Sequence, residues 1–164
     1  MATTWPFFLN VKTMISIRNK ALQLLSRRDH AIHELQTKIA IAFPDTPIEE
    51  IKSVLDEFKQ LGWVSDERFA EQWVYFRSQR YGPQRLKYEL LEKGVASEII
   101  NQVLSAISED EASKAQTVLG KKFPSPPKNI AERSKQLRYL ANKGFSLDIV
   151  YQVVGEIQPI TDEG

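Results

Sequence analysis

No cysteine occurs anywhere in the chain, which excludes a disulfide framework and any thiolate metal site and fits a reducing, cytoplasmic compartment. Net charge is equally scarce: 22 Lys and Arg against 21 Asp and Glu leave +1, so electrostatic arguments must rest on where charges lie. No long hydrophobic run is present either. The apolar stretch Trp5-Pro6-Phe7-Phe8-Leu9 is far shorter than the ~18 residues of a membrane span and lacks the basic lead-in of a signal peptide. A glycine-rich phosphate loop, a Gly-x-Ser-x-Gly elbow and a cysteine nucleophile are all missing. The chain therefore reads as no enzyme, with no cofactor and no membrane partner. The two histidines, His30 and His33 with Glu34 beside them, could hold a metal ion in principle. Their order is not that of the zinc hydrolases and no third ligand is suggested, so they read as ordinary helix-surface or capping residues.

What is present is helical period. Every well-patterned segment repeats its apolar residues at three and four, and none alternates at two. Residues 1–13 read as a flexible tail, with Met14 as the natural start, a point that the intact mass from the native host would check. A first helix over Ile15 to Arg27 carries Ala21, Leu22 and Leu25 on one side. Asp29 is placed to cap a second, running to about Ala42 and burying Ile32, Leu35 and Ile39. Thr46-Pro47-Ile48-Glu49 has the form of a capping box opening a third helix with Ile51, Val54, Leu55 and Phe58 inward and Gly62 as its stop. Ser65 caps a fourth, whose stripe is Phe69, Trp73 and Phe76; Gly82-Pro83 starts a fifth with Leu86, Leu90 and Leu91, closed by Gly94. Ser97 caps a sixth and Ser108 opens a seventh. The Phe123 to Pro127 stretch, with three prolines, cannot be helical. An eighth helix, about Asn129 to Lys143, stops at Gly144, and a ninth runs from Ser146 to near Pro159.

These segments repeat. Gly94 superposes on Gly144 with Leu90 on Leu140 and Lys93 on Lys143, while Ile99, Ile100, Val103, Leu104 and Ile107 fall on Ile149, Val150, Val153, Val154 and Ile157. Ile51, Val54, Leu55 and Phe58 pair in turn with Ile100, Val103, Leu104 and Ile107, and Glu34-Leu35 pairs with Glu89-Leu90, which makes the first unit six residues longer between its second and third helices. The expected fold is all-α: an elongated array of three tandem three-helix repeats over residues 14–64, 65–107 and 108–158, with a C-terminal tail at 159–164. In 164 residues, units this small must stack to be stable.

Charge is unevenly spread along the array. Residues 45–57 sum to −4 and residues 114–143 to +7. In the middle repeat Arg77, Arg80, Arg85, Lys87 and Lys93 interleave with Tyr75, Tyr81 and Tyr88 around a helix-to-helix turn, and Lys135 and Arg138 fall one repeat on from Arg85 and Tyr88. Cations alternating with rings suit phosphate contacts and base stacking on single strands, and equally an acidic protein surface. Arg77, Arg80, Arg85, Lys87, Lys135 and Arg138 are the candidate partner- or DNA-binding residues. Trp63 and Trp73 read as core.

Arg27-Arg28-Asp29-His30 with Glu34-Leu35, Ser65-Asp66-Glu67-Arg68-Phe69-Ala70, Gly82-Pro83 with Arg85-Leu86, Glu89-Leu90 and Lys93-Gly94, and Leu140 with Lys143-Gly144-Phe145 resemble the RecX regulatory proteins of bacteria over residues 15–157. Ala31 stands where many members have serine. The resemblance implies three tandem three-helix repeats and a regulatory protein, and the chain is expected to be a monomer. Its implied partner is the RecA filament on single-stranded DNA, whose growth, strand exchange, ATPase and coprotease activities it restrains in DNA repair and the SOS response, with weak direct DNA contact. The rival readings are a freestanding nucleic-acid-binding helical protein competing for DNA and a protein-binding scaffold.

Overall fold

The computed structural model describes residues 5–157, with side chains from residue 11. Among these residues the chain forms nine α-helices and no strand: α1 (Trp5–Leu25), α2 (Ile32–Ala42), α3 (Ile48–Gln60), α4 (Asp66–Arg77), α5 (Pro83–Glu92), α6 (Ser97–Ser105), α7 (Glu111–Lys122), α8 (Ile130–Asn142) and α9 (Leu147–Val154), with a 3-10 turn at Ser108–Asp110. None of them is long and apolar enough to cross a membrane. The chain divides into two compact units, Met1–Ala70 with Lys93–Ile99, and Glu71–Glu92 with Ile100–Gly164.

In the first unit Ile17 and Ala21 of α1, Leu35 and Ile39 of α2, and Ile51, Val54, Leu55 and Phe58 of α3 share one core. Each such side chain contributes about 1.5–3 kcal/mol by leaving water. In the second unit Ala115, Val118 and Leu119 of α7 pack with Leu140 of α8, Phe145, and Val150 and Val154 of α9.

Several expectations are corrected. Residues 5–13 belong to α1 rather than to a tail: Pro6 sits in the first turn, where a missing N–H costs nothing, and no breaker follows before Leu25. Residues 1–4 and 158–164 lie outside the described residues. Asp29 does not cap α2. Its carboxylate takes Arg68 (3.1 and 3.2 Å), and the first N–H of α2, at Ile32, donates instead to Asp66 Oδ1 at 2.9 Å. Ala31, at the N-cap, has no side-chain acceptor to offer. The capping box is not formed, because Pro47 itself occupies the N-cap of α3. Ser65 does cap α4, accepting from Arg68 N–H at 3.2 Å. Ser108 opens only the 3-10 turn, and α9 ends at Val154, where Gly155 turns to φ 68°. Phe76, Leu91, Leu22 and Trp63 are exposed rather than inward; Trp63 still meets the Phe58 ring edge-on at 5.1 Å.

The two histidines part company. His33 is exposed, whereas His30 is buried. The Lys38 ammonium can only donate, so at 3.2 Å from His30 Nε2 it fixes a neutral ring whose Nδ1–H donates to Arg28 O at 3.0 Å. Burial holds the His30 pKa below its ordinary value; the hydrogen bond to the Arg28 carbonyl and the charge of Glu34 oppose it, while the charges of Arg28 and Lys38 add to it. Among the described residues, no group of three or more metal-type side chains could hold an ion.

Candidate functional site

The final turn of α4 sets Trp73 and Arg77 on one face, four residues apart, and the chain unwinds through Arg80 and Tyr81, whose N–H groups both donate to Arg77 O at 3.0 Å. Pro83 then begins α5, where its fixed φ suits the first helical position. Arg85 and Glu89 follow on α5 at another spacing of four.

Glu89 is the hub of this corner. It accepts from Arg77 Nη2 (2.6 Å) and Nε (2.7 Å), Trp73 Nε1 (2.9 Å) and Arg85 Nε (3.1 Å). Burial works against its ionisation, but the hydrogen bonds from Arg77, Trp73 and Arg85 outweigh it and hold the carboxyl below its ordinary range.

The turn between α4 and α5 is clasped to the turn between α8 and α9. Gly82 N–H donates to Lys143 O at 2.8 Å and Gln84 N–H to Gly144 O at 3.0 Å. A Cβ on Gly82 would lie 2.3 Å from Phe145 N, and one on Gly144, at φ +90°, 2.4 Å from Arg85 Cβ. Only glycines permit backbone to meet backbone so closely.

This clasp brings Lys143 to the ring of Tyr81. Three cations surround that ring: Arg85 at 4.0 Å from its centroid, Arg77 at 4.6 Å and Lys143 at 5.1 Å. The alternation continues in both directions. Arg77 also lies 5.2 Å from the Trp73 ring. Lys143 lies 5.5 Å from Tyr139, whose ring meets Phe123 edge-on at 5.5 Å, and Lys135 stands 5.9 Å from Phe123. The result is a run of partly exposed cations and rings within the second unit. Its carboxylates are Glu89 at one end and, near Lys135 at the other, Glu132, which accepts from Lys128 N–H at 2.8 Å.

The structure therefore joins three of the six candidate residues. Arg77 and Arg85 meet at Glu89 and Tyr81, and Lys135 connects to them through Phe123, Tyr139 and Lys143. Arg80, Lys87 and Arg138 stand apart, exposed and without a carboxylate partner among the described residues. Of the three interleaved tyrosines only Tyr81 is central. Tyr88, 62% exposed, donates to Glu92, and Tyr75 pairs edge-on with Phe76. Lys93 turns to Glu34 at 3.4 Å. Sequence reasoning passed over Lys143 and Glu89 as site residues. The equivalence of Lys93-Gly94 with Lys143-Gly144 marked the position of Lys143, but nothing local announced that its turn meets Gly82.

Comparison with known proteins gives a consistent result. Residues 65–104 match the family model described as RecX, second three-helix domain, and residues 109–154 that described as RecX, third three-helix domain. The chain is 34% identical over 150 residues to the regulatory protein RecX of Ralstonia pickettii, covering 92% of this chain and 93% of that one. It is 36% identical over 139 residues to that of Chromobacterium violaceum, covering 85% and 89%. Its fold is similar to a crystal structure of RecX from Lactobacillus salivarius, with TM-score 0.77 and 23% identity over 88% of this chain and 96% of that one.

Proposed function

The chain belongs to the RecX family of regulatory proteins, and from that premise we propose that it binds the RecA filament on single-stranded DNA as a cytoplasmic monomer and restrains its recombinase, ATPase and coprotease activities. Regulation is by occupancy and not by catalysis: a protein that binds one state of a filament better than another shifts the filament toward that state by the difference in affinity. In this proposal the three tandem three-helix segments expected over residues 14–64, 65–107 and 108–158 each offer a surface to the filament.

The observation that carries this reading is the set of exposed cations Arg80, Lys87 and Arg138, whose charges no carboxylate among the described residues neutralises. Such groups can meet acidic side chains or phosphates while giving up little solvation. Arg77, engaged by Glu89, serves as a positioning group that holds the Tyr81 corner.

The test is inhibition of RecA ATP hydrolysis on single-stranded DNA by the triple variant Arg80→Glu, Lys87→Glu and Arg138→Glu, with circular dichroism confirming the fold. The half-inhibitory concentration should rise about tenfold or more, as expected for the loss of about 1.4 kcal/mol or more from three modest contacts. Unchanged potency in the folded variant removes these residues from the interface.

A further inference from the structure

We infer that Arg85 and Lys143, gathered over the ring of Tyr81, form a binding site for a backbone phosphate of single-stranded nucleic acid, which the run of rings through Tyr139 and Phe123 extends. This deepens the filament reading and rests on it for the biological source of the strand, though not for the site.

Charge balance is the first argument. Arg77, Arg85 and Lys143 all lie within 5.1 Å of one ring centroid, and one carboxylate, Glu89, faces them. Its two oxygens are taken up by Arg77, Arg85 and Trp73, and Lys143 has no carboxylate partner among the described residues. The corner thus keeps an excess of two positive charges, an arrangement that an incoming oxyanion relieves. Arginine offers a planar fork and lysine a point charge, a combination that phosphate accommodates well.

Preorganisation is the second. Lys143 and Arg85 come from segments distant in sequence, and the backbone clasp at Gly82 and Gly144 fixes their separation. The side chains are half-buried or exposed rather than sealed, so a ligand reaches them without unfolding anything.

The rings choose between anions. The cations alone would serve an acidic protein surface as well, but partly exposed rings among them add stacking surface that unpaired bases use whatever their identity and a carboxylate does not. A closed duplex hides those base faces, so the site fits a single strand.

The experiment is fluorescence anisotropy of a labelled oligothymidylate with the full chain and no recombinase, across a salt series. Lys143→Gln should weaken binding several-fold at low salt and reduce the slope of log K against log salt by about 0.7, the share of one phosphate contact on a single strand. Lys143→Arg should restore both. Thermal melts of each variant confirm folding, and Gln at this partly exposed position leaves the clasp intact because the clasp uses backbone atoms. Identical affinity and slope for wild type and Lys143→Gln would overturn the site. Binding of duplex as tightly as single strand, or binding only to acidic peptides, would overturn the assignment of its ligand. Failure of the filament reading shows separately, as an absence of any effect of the wild-type protein on RecA.

Discussion

Both carboxylate oxygens of Glu111 are spent on Ser146: Oε1 accepts the backbone N–H at 2.7 Å and Oε2 the hydroxyl at 3.1 Å. The first residue of α7 thereby caps the start of α9, and Ser146 makes no side-chain cap of its own. Glu111 is 9% exposed, so its loss leaves a shielded N–H without an acceptor. Glu111→Ala should cost about 1–3 kcal/mol, measured as a lower urea midpoint with unchanged slope.

Glycine-to-alanine changes should differ in sign by position. At Gly144 the added methyl meets Arg85 Cβ at 2.4 Å with the backbone at φ +90°, and about 2 kcal/mol or more should be lost through strain and displacement of the clasp. Gly120 lies within α7 with nothing near a new Cβ, and alanine there should gain roughly 0.5–1 kcal/mol. Paired thermal melts check both.

Stability should fall in two separate acid windows. For His30 the folded pKa is depressed, chiefly by burial, so the unfolded chain takes up a proton near pH 6.5 while the folded one resists. Its contribution is complete above that pH and is lost as pH drops from there toward the folded value. For Glu34, burial raises the pKa, but hydrogen bonds from Arg28 and Lys38 and the charge of Lys93 lower it to about 2. Its contribution is present above the ordinary carboxyl value of 4.5 and disappears between there and about 2. Urea unfolding between pH 3 and 8 should show both steps, and His30→Gln should flatten the upper one.

Leu140 and Phe76 both lie on helical apolar spacings, yet they are 0% and 71% exposed. Leu140→Ala should cost about 2–5 kcal/mol, and Phe76→Ser should stay within about 0.5 kcal/mol of wild type. Chemical denaturation of the two variants side by side is the check.

Helical class and the third helix of each triplet were legible in the sequence. Ile51, Val54, Leu55 and Phe58, then Ile100 and Val103, then Val150 and Val154 are buried where the repeat placed them. Gly62, Gly94 and Gly144 take the left-handed conformation expected of helix stops. The register of the second helices was not legible. Burial aligns Leu35 with Leu86 and Gln136, and Ile39 with Leu90 and Leu140, one helical turn from the pairing of Glu34-Leu35 with Glu89-Leu90, because apolar residues four apart match almost equally well after a shift of one turn. Leu35 to Ile51 is then 16 residues and Leu86 to Ile100 is 14, so the first triplet is longer by two residues rather than six. Caps supplied from afar, by Asp66 to Ile32 and by Glu111 to Ser146, leave no local pattern. The same holds for the site: Arg77 and Arg85 announced themselves by spacing, whereas Lys143 reaches Tyr81 only through tertiary packing.

The grip between Gly82 and the Lys143-Gly144 pair is made of main-chain atoms. A joint of that kind is indifferent to what decorates it. Arginine can be exchanged for lysine, or ring for aliphatic, along the neighbouring positions without loosening it, provided the two glycines stay.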